Sequence, residues 1–326
     1  MYKITDSMIH PELRKKARSL RNRSQSYSLN KTKLLKALCR LLRGQHSRTL
    51  RYRQEYVVRK DGSKLRLCVY TPLVKKENVP GLLWIHGGGY AIGIPEQDDH
   101  FIKQFVEASG CVVVSPDYTL SPDKPYPAAF DDCYAALLWL CKNGAALGMR
   151  EDQVFVGGNS AGGGLAAAVT LYARDKGEVP VAFQMLVYPM LDDRPTSSST
   201  GNDAPVWDSV SNNASWRLYL GDSCGGDEVS AYAAPARAKN FAGLPPACAF
   251  VGDIEPFYDE TVAYIESLKK SGVPVHFKVY SGCFHAFVRM CPDANIAKDA
   301  ISFLTESFIY AVSNYFAPKG GKHDQF

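Results

Sequence analysis

The stretch Val154-Phe155-Val156-Gly157-Gly158-Asn159-Ser160-Ala161-Gly162-Gly163 decides the fold. Val154–Val156 is a short apolar run of the kind that forms a buried strand. A glycine turn follows, and Ala161 to Asp175 continues as a helical stretch. Strand, tight turn and helix in direct succession make one crossover unit of a parallel sheet. The turn reads Gly158-x-Ser160-x-Gly162. Its glycines leave no side chains to crowd the bend, so the Ser160 hydroxyl stands clear of the backbone at a helix N-terminus, where the dipole favours developing negative charge. In this context the pattern marks a nucleophile rather than a glycine turn that merely packs closely.

Working outward, the same rhythm recurs. Leu82–Ile85, Cys111–Val114, Phe183–Val187, Ala247–Val251 and Val275–Val279 are further apolar runs. Helical stretches separate most of them: Phe101–Ser109, Ala128–Asn143 and Asp259–Ser271. Apolar strands alternating with helices predict an α/β fold, its parallel sheet covered on both faces. Two alternating segments, Arg53–Arg59 and Lys64–Tyr70, flank Asp61-Gly62 and predict an antiparallel hairpin at one edge. Between Tyr188 and Ala247 lie roughly 60 residues, polar but carrying Trp207, Trp216 and Tyr219. A structureless loop of that size is uncommon in a compact domain, so this segment is expected to fold as an insertion over one end of the sheet.

The chain has 326 residues, 46% hydrophobic and 22% charged, which excludes disordered, collagen-like and disulfide-scaffold classes. No apolar run approaches the roughly 18 residues of a membrane span, and residues 1–20 do not read as a secretory signal. Nine cysteines, none in a C-x-x-C pair, point to buried thiols in a reduced, cytoplasmic protein and away from a zinc ribbon. Charge is uneven. Residues 1–60 carry 17 Lys and Arg against three acids, and residues 61–326 carry 21 against 30. A basic arm therefore precedes an acidic body, and docking of one on the other is favoured over nucleic-acid binding. Within the arm, Leu34, Leu35, Leu38, Leu41 and Leu42 recur at helical spacing over Lys31–Arg43. That helix is expected to pack its leucines on the rest of the protein, the competing reading being a membrane-surface helix.

Three further features bear on chemistry. His86-Gly87-Gly88-Gly89 directly follows the strand Leu82–Ile85. Consecutive glycines leave backbone N–H groups unshielded and able to converge on the oxygen of a tetrahedral intermediate, each such donor contributing about 3 kcal/mol. A phosphate-cradling loop would carry G-x-x-x-x-G-K-[ST], which is absent, or G-x-G-x-x-G followed by an acid on a later strand. His86 itself reads as a loop brace. His285, in Ser281-Gly282-Cys283-Phe284-His285-Ala286-Phe287, follows the late strand Val275–Val279 and is the candidate base. The acid belongs between serine and histidine in the chain. Asp253 and Glu255 both follow the strand Ala247–Val251, and the residue pattern does not separate them; Asp259 and Glu260 begin the next helix, where acids are favoured as caps.

These motifs, together with Asp117-Tyr118-Thr119-Leu120-Ser121-Pro122 and Pro127-Ala128-Ala129-Phe130-Asp131-Asp132, resemble the hormone-sensitive-lipase-like (family IV) α/β-hydrolase esterases over residues 80 to 290. The resemblance implies an α/β-hydrolase fold with a mostly parallel eight-stranded sheet and a helical lid. The lid would be built from an N-terminal basic helical arm, residues 1–50, and an insertion at about 191–246 of the catalytic domain 51–326. It also implies the acid. The family motif places it before Pro256, at Glu255, where most members have Asp, with His285 thirty residues downstream. Asn159 stands where Asp is common.

The implied reaction is hydrolysis of a short-chain carboxylic ester. Ser160, Glu255 and His285 are the catalytic set, Gly88, Gly89 and Ala161 the oxyanion donors, and His86, Gly87, Gly158 and Gly162 the supporting motif residues. Neither metal nor organic cofactor is called for. The expected partner is a small-molecule ester, with no nucleic acid and no stable membrane association, and a homodimer stays open as the assembly. Trp207, Trp216 and Tyr219 are expected either to wall a substrate pocket or simply to pack within the lid. Other readings remain at this point: a binding protein that has lost catalysis, or an amidase or lactonase using the same residues.

Overall fold

A computed structural model describes residues 3–21 and 29–317. Its strands are β1 (Leu50–Val58), β2 (Lys64–Pro72), β3 (Val79–Ile85), β4 (Val112–Pro116), β5 (Met149–Asn159), β6 (Val181–Val187), β7 (Ala247–Gly252) and β8 (Val275–Tyr280). The helices are α1 (Arg14–Arg21), α2 (Leu29–Arg40), α3 (Asp99–Ser109), α4 (Ala128–Asn143), α5 (Ala161–Lys176), α6 (Ser209–Leu220), α7 (Tyr258–Lys270), α8 (Phe287–Met290) and α9 (Asn295–Asn314). One eight-stranded sheet runs in the order β1-β2-β4-β3-β5-β6-β7-β8. β2 is antiparallel to both β1 and β4, and every other pairing is parallel. The fold is the α/β-hydrolase fold.

Side-chain alternation divides the core into two layers. Leu83 and Ile85 of β3 join the cluster that also holds Leu137 of α4, Leu165 of α5 and Ile265 of α7. Their neighbours Leu82 and Trp84 join the opposite cluster, with Phe105 of α3 and Phe308 of α9. Both faces are covered, which is why these strands read as continuous apolar runs. Truncating one such side chain, Leu83→Ala for example, removes about 2–5 kcal/mol of stability.

Helices α1, α8 and α9 are absent from those anticipated above. α9 buries Ala297, Ala300, Leu304, Phe308 and Ala311 at helical spacing. The arm differs from expectation more sharply. What docks on the body is the segment before α2, through Ile4, Ile9, Leu13 and Ala17. Most leucines of the predicted stripe are not packed away: Leu34 and Leu38 of α2 are 61% and 50% exposed, and Leu41 just beyond it 73%. The inward face of α2 is instead Thr32, Leu35 and Cys39, which line the cavity described below. Electrostatics ties this region to the body as the charge asymmetry predicts, through Lys36 to Asp123 at 2.5 Å and Arg43 to Asp117 at 2.7 Å.

The 191–246 segment contains α6. Asp259 and Glu260 do more than begin α7. Asp259 accepts the Ser198 N–H at 2.7 Å and Glu260 the Leu191 N–H at 2.6 Å, so both acids hold the start of this segment. Among the described residues no helix is long and apolar enough to cross a membrane.

Candidate active site

Ser160 sits between β5 and α5 with φ 57° and ψ −124°, a backbone region that L-residues rarely occupy. Such strain persists only where the surroundings enforce it. Here the Ser160 N–H donates to the Val187 carbonyl at 2.9 Å, and the Ser160 carbonyl accepts from Met190 at 3.0 Å and Gly164 at 3.1 Å. Gly162 explains itself by contact: a Cβ there would lie 2.1 Å from the Ile85 carbonyl oxygen. The helix can approach β3 that closely only without a side chain.

The loop after β8 brings His285 to this serine, with Nε2 2.9 Å from Ser160 Oγ. Nδ1 of the same ring is hydrogen-bonded to Glu255 Oε2. A carboxylate accepts, so Nδ1 carries the hydrogen and Nε2 is left to take the serine proton. The other Glu255 oxygen accepts the Gly252 N–H at 2.9 Å, which fixes the carboxylate plane. All three residues are buried: Ser160 is 6% exposed, His285 3% and Glu255 0%. Asp253, the alternative acid, turns away from the imidazole and accepts the Gly282 N–H at 2.6 Å, bracing the loop that carries His285.

The glycine loop closes the other side. Gly88 has φ +132° and could carry no side chain, since a Cβ would meet the Ile92 carbonyl oxygen at 2.0 Å. Gly87, Gly88, Gly89 and Ser160 line one cavity of about 390 Å³. No backbone carbonyl among the described residues takes the N–H of Gly88, Gly89 or Ala161. Ala161 opens α5, where first-turn N–H groups lack helical partners. His86 stays out of the reacting set. Its ring stacks on Tyr118 at 4.2 Å, and Nδ1 donates to the Gly87 carbonyl at 2.9 Å. Burial pushes its pKa down to about 4, so it braces the loop as a neutral ring.

Of the three insertion aromatics, Trp207 faces the cavity, its ring 6.0 Å from that of His285. Trp216 and Tyr219 pack on Tyr90 at 5.5 and 3.9 Å. Three site features were not singled out from sequence. One is the inward face of α2. The second is Asp98, a buried carboxyl held by Trp84 Nε1 at 3.0 Å and by the Asn159 side chain. The third is Arg289, a cavity-lining cation. The last had a signal available: it is the one charge in the apolar run Phe284–Met290.

The model of the alpha/beta hydrolase fold family matches residues 82–289. Among curated proteins, esterase LipI of Mycobacterium tuberculosis is 37% identical over 64% of this chain and 66% of its own length. Carboxylesterase NlhH from the same species is 34% identical over 72% of this chain and 75% of its own. The solved structure of a bacterial heroin esterase superposes with a TM-score of 0.84 at 33% identity, covering 95% of this chain and 99% of that one. The chain belongs to the α/β-hydrolase fold family, as a hormone-sensitive-lipase-like carboxylic ester hydrolase.

Proposed function

We propose that the protein hydrolyses short-chain acyl esters, acetyl to about octanoyl, through a covalent acyl-enzyme. The observation that carries the reading is the continuous hydrogen-bonded chain Ser160–His285–Glu255 at the N-terminus of α5. His285 Nε2 takes the hydroxyl proton as Ser160 Oγ attacks the ester carbonyl. The N–H groups of Gly88, Gly89 and Ala161 receive the oxyanion, and Glu255 stabilises the imidazolium. As the tetrahedral intermediate collapses, His285 returns the proton to the leaving alcohol. Water, deprotonated by the same imidazole, then releases the acid and restores Ser160.

The cavity supports a short acyl chain. At about 390 Å³ it lies near the lower end of small-molecule sites. Trp207 narrows it: a Cβ on Gly89 would meet the Trp207 ring at 2.4 Å. The nine free thiols favour a reducing, cytoplasmic setting.

Ser160→Ala is expected to abolish the burst of alcohol released from a p-nitrophenyl ester and covalent labelling by a fluorophosphonate probe, with the circular-dichroism spectrum unchanged. Full activity in that variant would end the assignment. A chain-length series of p-nitrophenyl esters tests the acyl range, and preference for long-chain emulsified lipids would overturn it.

A further inference from the structure

Among the described residues, Arg289 is the one charged side chain lining the cavity that holds Ser160 and His285. It projects from α8, four residues beyond His285, and it is exposed. Among the described residues it forms no ion pair. Three other basic residues are engaged with acids of the body. Arg66 is held by Glu96 and Asp117, Arg43 by Asp117 and Lys36 by Asp123. A cavity-lining guanidinium with no ion-pair partner among the described residues is an unspent recognition group, since its planar fork matches a carboxylate or phosphate bidentately.

Its field reaches the floor of the site. At the buried Asp98 and His100, burial sets the shift and the charge of Arg289 is the next contribution. Asp98 makes no ion pair with it; that carboxyl instead accepts from Trp84 and Asn159. The cavity also borders the arm. Its wall includes Thr32, Leu35 and Cys39 of α2, which belongs to the segment carrying 17 basic residues against three acids. The body beneath is acidic and would repel an anion, so the arm is the surface that can steer one inward.

Resting on the ester-hydrolase reading above, we propose that the preferred substrates are esters bearing an anionic group, a carboxylate or phosphate on the acyl or alcohol part, which Arg289 engages while Ser160 attacks the ester carbonyl. The arm's positive charge draws such esters to the mouth, and neutral esters of the same shape are the poorer substrates.

The experiment measures kcat/KM for matched pairs on the full chain. Mono-4-nitrophenyl adipate against 4-nitrophenyl hexanoate probes an anion on the acyl side. 4-Acetoxybenzoate against 4-acetoxybenzamide probes the alcohol side. The expected result is that at least one pair favours the anion about ten-fold or more at low ionic strength, and that the preference shrinks with added salt. Arg289→Gln should bring that ratio close to one, and Arg289→Lys should restore part of it; whichever pair responds identifies the side that carries the charge. No anion preference in the wild type, or a ratio that Arg289→Gln leaves unchanged, overturns the proposal. Equal loss on anionic and neutral members also overturns it, because Arg289 would then serve the oxyanion of any ester. If neither member of either pair is hydrolysed, the ester-hydrolase reading itself falls, an outcome distinct from neutral esters being turned over without anion preference.

Discussion

The side-chain amide of Asn159 donates to the carboxyl of Asp98, so the residue immediately before the proposed nucleophile is anchored to a buried acid at the start of α3. Asp98 is 1% exposed, and one of its oxygens has no hydrogen-bond partner. Burial raises its pKa to about 6, against the opposing pull of Arg289, Trp84 and Asn159. An acid whose folded pKa lies above its unfolded value contributes most to stability below about pH 4, and that contribution is lost as pH rises through about 6. Asp98→Asn removes this titration while keeping an oxygen for Trp84 or Asn159. The wild type should therefore lose on the order of 2–3 kcal/mol between pH 4 and pH 7 that the variant does not lose. Denaturant unfolding at the two pH values, wild type beside variant, reads the difference; parallel pH profiles would refute it.

This anchor shows where sequence reading stops. The strands were legible because two-sided burial writes itself as unbroken apolar runs, and Ser160 and His285 because each sits on a glycine-marked loop after such a run. Asp98 and Asn159 are 61 residues apart, and nothing local pairs them. The acid was ambiguous for a related reason. Asp253 and Glu255 share one turn, and their roles part only through long-range bonds, Asp253 to Gly282 and Glu255 to His285. The leucines of α2 misled because helical periodicity reports an apolar stripe without saying which neighbouring face the fold offers it. Here the sheet was already covered on both faces, and α2 turned Thr32, Leu35 and Cys39 to the cavity instead.

The two acids should separate cleanly in kinetics. Glu255→Gln keeps the volume but presents an amide, which no longer holds the Nδ1–H tautomer or stabilises the imidazolium. A fall in kcat of about 10³- to 10⁴-fold is expected, with KM little changed. Asp253→Asn disturbs only the brace on Gly282 and should cost less than about ten-fold. Both values come from one steady-state assay with p-nitrophenyl acetate. Comparable losses in the two variants would mean that the carboxylates share the role.

Gly88 is the sharpest test of the oxyanion loop. Its φ of +132° and the 2.0 Å approach of the Ile92 carbonyl oxygen to any Cβ mean that Gly88→Ala must displace the loop backbone. Because the donors act on a charge that forms only during reaction, the loss should fall on kcat, about 10²-fold or more, and not on KM. Unfolding measurements should show a cost of about 1–3 kcal/mol from the strained residue. Unchanged kcat would place the oxyanion elsewhere.

Glu96 links the arm to the body. Its carboxylate accepts from Arg66 at 2.6 and 3.1 Å, from the Gly44 N–H at 2.9 Å and from Tyr52 at 3.0 Å. Burial pulls its pKa up, but the bonds from Arg66 and Gly44 outweigh that and hold it down to about 2. An acid depressed in this way stabilises the fold above its ordinary range near 4.5, and the contribution is lost as pH falls toward 2. Glu96→Gln presents an amide NH2 to the Arg66 guanidinium, donor against donor, and leaves a buried charge short of its partner. The variant should melt below the wild type at pH 7, and the gap should narrow steadily below pH 4.5. Because Gly44 follows α2 in the chain, limited proteolysis at neutral pH should also cut the arm faster in the variant than in the wild type. A melting gap that stays constant from pH 7 to pH 3 would show that the charge on Glu96 is not what fastens this segment.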